Sequence, residues 1–183
     1  MKRKQKEVSV APLSYTQQIN LEKREENFWN KLFQPLPENL TDLPTHINWI
    51  NLSFTDVSDE DLSFLVSRIK SINMLDLKDT AITFKGIEHL TKLENLSELR
   101  LKESANIDDE CMNFLVQLTT LTLLQINDTS ITPLGLTNIA ALHNLKRLYL
   151  SLDIKEVSNQ DLLKRIQIKI PGCEIIVNGT LNE

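Results

Sequence analysis

The sequence predicts an α/β solenoid, a right-handed horseshoe arc with parallel strands on its concave face and helices on its convex face. Three observations predict it. A hexamer of the form aliphatic-x-x-aliphatic-x-aliphatic begins at Ile47, Ile72, Leu96, Leu121 and Leu145, at spacings of 25, 24, 25 and 24 residues. Each hexamer is followed by a turn and then by a stretch whose aliphatic residues recur at helical spacing. Leucine supplies 31 of the 183 residues and aromatics only 5%, so aliphatic packing between stacked units has to hold the chain together.

Residues 1–16 read as a flexible basic tail. Met1 to Lys6 is Met-Lys-Arg-Lys-Gln-Lys, with no continuous apolar h-region of the kind a secretory signal needs behind it. Residues 17–46 read as a helical N-terminal cap. From Gln17 to Phe33, Ile19, Leu21, Phe28, Leu32 and Phe33 follow one side of a helix, Glu22 to Glu26 the other, and Pro35 and Pro37 end it. A lone amphipathic helix cannot bury its own stripe, so it is expected to cover the first repeat.

Residues 47–183 hold five repeats and a closing strand. Eight residues after each start stands Thr55, Thr80, Ser104, Thr129 or Asp153, placed to accept from backbone N–H groups where the chain leaves the strand. An aliphatic residue follows, and after it Ser58, Thr83, Asp108, Thr132 and Ser158, all good helix N-caps, with Pro133 at a first helical position. Three residues on, Asp61 and Asp161 are set to complete capping boxes. In the same place Gly86, Cys111 and Gly135 are small, which implies close helix–strand approach. Cys111 therefore reads as a packing residue. The helices follow with inward stripes such as Leu62, Leu65, Ile69 and Leu136, Ile139, Leu142. Ile175 to Val177, bounded by Pro171-Gly172 and Asn178-Gly179, reads as a C-terminal capping strand.

These units resemble the cysteine-containing type of leucine-rich repeat, Leu-x-x-Leu-x-Leu-x-x-(Cys/Thr)-x-Ile-Thr-x-x-Gly-Leu. The best copy runs from Leu121 to Leu136 and ends Thr129-Ser130-Ile131-Thr132-Pro133-Leu134-Gly135-Leu136. The resemblance implies a protein-binding module. A narrower similarity is to mitochondrial ATP synthase subunit s (coupling factor B) and the distal membrane-arm assembly proteins. It rests on the small number of repeats, on Asn106-Ile107-Asp108-Asp109-Glu110-Cys111-Met112, and on the ending from Leu148-Tyr149-Leu150 to Ile170-Pro171. The N-terminal region is shorter than that family's, and it holds no F-box.

Alternation along each hexamer sends positions 4 and 6 inward and positions 3, 5 and 7 to the open face. Position 3 holds Trp49, Met74, Glu98, Leu123 and Arg147. Position 5 holds Asn51, Asp76, Arg100, Gln125 and Tyr149. These ten are the expected partner-binding residues, since aromatic and Arg side chains are enriched at binding hot spots. Two ladder pairs are expected among them, Asp76 with Arg100 and Glu98 with Arg147.

Enzymatic chemistry is not expected. The runs Asp59-Glu60-Asp61 and Asp108-Asp109-Glu110 fall where repeat helices begin, and acids there complement the helix dipole. His46, His89 and His143 occupy different repeat positions, and four glycines leave no phosphate-cradling loop. No cofactor or metal is expected. A net charge of −5 argues against nucleic acid, and no apolar run approaches the length of a membrane span. The expected function is that of a non-catalytic interaction module, monomeric when free and cytoplasmic, whose partner is another protein. The alternatives are an assembly or coupling factor for a membrane energy-transducing complex, mitochondrial and membrane-associated through its partner, or an inhibitor or immunity-type protein.

Overall fold

The computed structural model describes residues 13–181, in two compact units that divide between Pro37 and Glu38. The basic stretch Met1 to Lys6 lies outside the described residues.

The first unit is built on helix α1, Tyr15–Leu32. It begins two residues before the expected Gln17, because Ser14 and Gln17 form a complete capping box across the first turn. Its buried residues are Phe28 and Trp29, whose rings meet edge to face at 5.1 Å, with Phe33 beyond at 6.0 Å from Trp29. The indole N–H of Trp29 donates to Glu25 Oε1 at 3.2 Å, so the buried ring keeps its polar atom satisfied. Trp29 was not part of the stripe read from the sequence.

The second unit is an α/β arrangement around one seven-stranded sheet whose strand order is the chain order. The strands are β1 His46–Asn51, β2 Ser71–Asp76, β3 Asn95–Arg100, β4 Leu123–Gln125, β5 Arg147–Leu150, β6 Glu174–Val177 and β7 Thr180–Leu181. β1 to β6 are parallel, and β7 folds back antiparallel on β6, a strand the sequence did not announce. Residues 38–46 belong with this sheet rather than with α1. Leu43 is buried, and Thr45 O accepts from the backbone of Lys70 and Ser71 at 2.8 and 3.1 Å.

Between the strands lie α2 Asp59–Arg68, α3 Phe84–Leu90, α4 Met112–Leu115, a 3-10 segment Gly135–Ala141 and α5 Val157–Lys169. Each of these packs against the next. Full α-helices were expected in every unit. The third and fourth units instead hold a four-residue helix and a 3-10 turn. In the fourth unit, Gly-Leu-Thr-Asn-Ile is a poor helix-forming sequence.

Register follows the repeat: Leu75 pairs with Leu99, Leu99 with Leu124 and Leu124 with Leu148. The sheet therefore stacks like residues into columns. Positions 4 and 6, from Ile50 and Leu52 through Leu148 and Leu150, are all buried, together with Leu62, Leu65, Ile87, Leu90, Leu136 and Ile139 from the crossovers. That interior is almost wholly aliphatic, and at about 25 cal/mol per Å2 of buried apolar area it is the main stabilising term.

Where the chain leaves each strand, Thr55, Thr80 and Thr129 donate their hydroxyls to the carbonyls of Leu52, Leu77 and Ile126 at 2.6, 2.9 and 2.7 Å. Thr180 repeats the bond to Val177 at 2.9 Å. Acceptance from N–H groups was expected. The hydroxyl acts mainly as donor because the turning chain leaves the carbonyl three residues back without a ladder partner. Ser104 differs, donating to Leu77 O and accepting from Thr80 N, which ties the third unit to the second. Just before these residues, Phe54, Asp79, Glu103 and Asp128 have φ of 59°, 51°, 62° and 59°, and Gly179 has 82°. A left-handed residue thus closes the strand in four successive units and again after β6.

Ser58 caps α2 in a box with Asp61, and Thr83 caps α3. Ser158 does not cap α5: the helix starts at Val157 behind Glu156, whose side chain makes no cap bond, and Ser158 and Asp161 lie inside it. α5 starts twelve residues after Leu145, the same offset as α2 from Ile47 and α3 from Ile72, which leaves Ser158 inside its first turn.

Candidate functional site

The parallel pairing places the ten candidate residues in two rows across one face of the sheet. Trp49, Met74, Glu98, Leu123 and Arg147 align with Glu174, and Asn51, Asp76, Arg100, Gln125 and Tyr149 align with Ile176. Positions 4 and 6 of the same strands point the other way, into the interior. Trp49 is the most open of the large apolar side chains in the rows, at 61% exposure. Asn51 and Arg147 are also exposed. Met74, Asp76, Glu98, Arg100, Gln125 and Tyr149 are half-buried. Leu123 is the exception, at 6% exposure. It sits mid-sheet with Glu98 and Arg147 beside it in the row and long side chains on the diagonals, and a leucine is too short to rise past them. It is a floor residue, which corrects its place among the expected anchors.

The ion pairs also differ in part from expectation. Arg100 does meet Asp76, with Nη1 3.9 Å from Oδ2, and it also meets Glu98 on its own strand, with Nη2 3.5 Å from Oε2. Glu98 does not pair with Arg147, because β4 and Leu123 stand between them. Arg147 turns the other way, to Glu174 at 4.0 Å, and the Tyr149 phenol beside it favours its charged form.

Beyond the strand ends runs a second polar line that the ten residues did not include. Lys78 Nζ lies 4.8 Å from the centre of the exposed Phe54 ring and 3.2 Å from Glu103. Lys102 pairs with Glu103 at 3.1 Å and reaches Asp128 at 4.0 Å, while Asp128 Oδ1 accepts from the Ser151 hydroxyl at 3.0 Å. Lys102 and Lys78 hold the Glu103 carboxyl below its ordinary range. Lys78, Lys102 and Ser151 were read as face positions. Phe54, Glu103 and Asp128 share a repeat position, seven residues after each hexamer start, and a left-handed backbone, but no residue type.

The two acidic runs have structural work. Asp59 accepts from Thr83 through both oxygens, from the backbone N–H at 2.8 Å and from the hydroxyl at 2.7 Å. Asp109 grips Thr132 in the same way, at 2.8 and 2.6 Å. Gly86 and Gly135 make room for these carboxylates: a Cβ on Gly86 would lie 2.6 Å from Asp59 Oδ1, and one on Gly135 2.8 Å from Asp109 Cγ. The small residues were expected to admit a strand. What they admit is the aspartate of the preceding unit.

Cys111 and Cys173 are buried free thiols, pushed up to about 11 chiefly by desolvation. His89 is held below its ordinary range, first by burial and then by Lys92, and its Nδ1 is buried with no hydrogen-bond partner. Among the described residues, no three His, Cys, Asp or Glu side chains gather as a metal-ligand set, and no helix is long and apolar enough to cross a membrane. No protein-family model matches the chain, and no curated protein matches it.

Proposed function

We propose that the chain is a leucine-rich-repeat solenoid acting as a non-catalytic protein-interaction module, with the sheet face as its binding surface. The observation that carries this reading is the division of each strand. One set of side chains is sealed in an aliphatic interior, while the other presents Trp49, Tyr149, Arg100 and Arg147 on one continuous face. These are the residue types that dominate protein interfaces, and their rigid parallel backbone holds them at fixed spacing. The turn threonines, the left-handed residue and the 24- or 25-residue offset all fit stacked repeats of the cysteine-containing type.

The test is affinity capture from native extract with wild type beside a Trp49→Ala, Tyr149→Ala double variant. Both side chains stand on the face, so the variant is expected to melt within a few degrees of wild type and to lose the captured protein. A partner held equally by both folded proteins would move the interface off the sheet and refute the proposal.

A further inference from the structure

Building on the reading of the sheet face as a protein interface, we propose that its β1–β3 half accepts a cationic side chain, an Arg projected by the partner protein. Among the described residues the face carries four cations, Lys78, Arg100, Lys102 and Arg147, and each already has a carboxylate within 4.0 Å. Carboxylates outnumber them. In the two rows, Asp76, Glu98 and Glu174 stand against Arg100 and Arg147; beyond the strand ends, Asp79, Glu103 and Asp128 stand against Lys78 and Lys102. The described face has carboxylate oxygen to spare, and each of its four cations is engaged.

The excess is local to the first half. Asp76 and Glu98 share the single Arg100 guanidinium, whereas Arg147 and Glu174 pair one to one. The Asp76 and Glu98 side chains are only 16% and 31% exposed, so their field is less screened than at an open surface. Beside them stands Trp49. It shares its row with Met74 and Glu98, and Asp76 is its diagonal neighbour, roughly 7–8 Å away along the sheet. A guanidinium stacked on that indole, within about 6 Å of the ring, has the carboxylates within reach of its N–H groups. Met74 offers apolar contact to the side-chain stem. Arg fits better than Lys because its planar group can stack on the ring and donate sideways at the same time.

The test titrates acetyl-arginine amide into the folded protein while NMR follows the indole N–H of Trp49, with the buried Trp29 as internal reference. The expected result is a saturable millimolar shift of Trp49. It should weaken several-fold at high salt and at least five-fold in Asp76→Asn, Glu98→Gln, which keeps side-chain size and the acceptor toward Lys78 N–H. Glu98→Gln alone serves if the double variant fails to fold. An equal shift with acetyl-norleucine amide or acetyl-glutamate amide, or none with the arginine probe, overturns the site. So does a captured partner that is lost with Trp49→Ala, Tyr149→Ala but held unchanged by Asp76→Asn, Glu98→Gln; in that case the interface stands and only its preference for a cation falls.

Discussion

Asp109 and Gly135 show how one residue choice constrains another 26 positions away. The carboxylate of Asp109 satisfies the N–H and the hydroxyl of Thr132, and it occupies the volume a Gly135 side chain would need. Gly135→Ala is expected to cost about 1–3 kcal/mol in urea unfolding, since the carboxylate must leave its two donors. In an Asp109→Ala background the same change should be neutral, or stabilising by up to ~1 kcal/mol, because the clash is gone and alanine is the better helix former. Additive costs in that double-mutant cycle would refute the clamp. The cysteines make a second prediction at this scale. With both thiols buried and titrating near 11, iodoacetamide at pH 8 should label neither until the chain unfolds, and mass spectrometry of native protein should find both unmodified.

The crossovers show what makes a helix here. α2 has a full capping box, three acids in its first turn and Arg68 in its last, and it runs ten residues; the fourth unit has Pro133 and a Thr-Asn-Ile run, and it settles as a 3-10 turn. Ser58→Ala removes the hydroxyl that accepts from the Asp61 N–H and donates to the Asp61 carboxylate, and should cost roughly 1 kcal/mol in the same unfolding assay. α5 offers the converse. Its cap position holds Glu156 with no side-chain cap bond, so Glu156→Ser should stabilise by about 0.5–1 kcal/mol, read as a higher urea midpoint at unchanged slope. A helix that ignored the substitution at its own cap would be held by tertiary packing alone.

Across the whole second unit, strand neighbours in the sheet are neighbours in the chain, so each parallel pairing closes a loop of similar length and the columns of like residues need no long-range matching. The line from Lys78 through Glu103 and Lys102 to Asp128 crosses three of these units. Because Glu103 is held below its ordinary value of 4.5, its share of stability is present above that pH and lost as pH falls through the lower folded value. Wild type should therefore lose slightly more melting temperature than Glu103→Gln on acidification below pH 4.5, by a small amount since the carboxylate is exposed. The parallel α/β arrangement, its register and its buried columns were legible in advance, because a 24- or 25-residue offset of alternating aliphatics specifies which strand residues stack and which face they take. The burial of Leu123 and Trp29, the turn of Arg147 to Glu174 rather than Glu98, and the grip of Asp59 and Asp109 on the next unit were not legible. Those depend on the lateral reach of side chains from neighbouring strands and turns, a distance that periodicity along one chain does not encode.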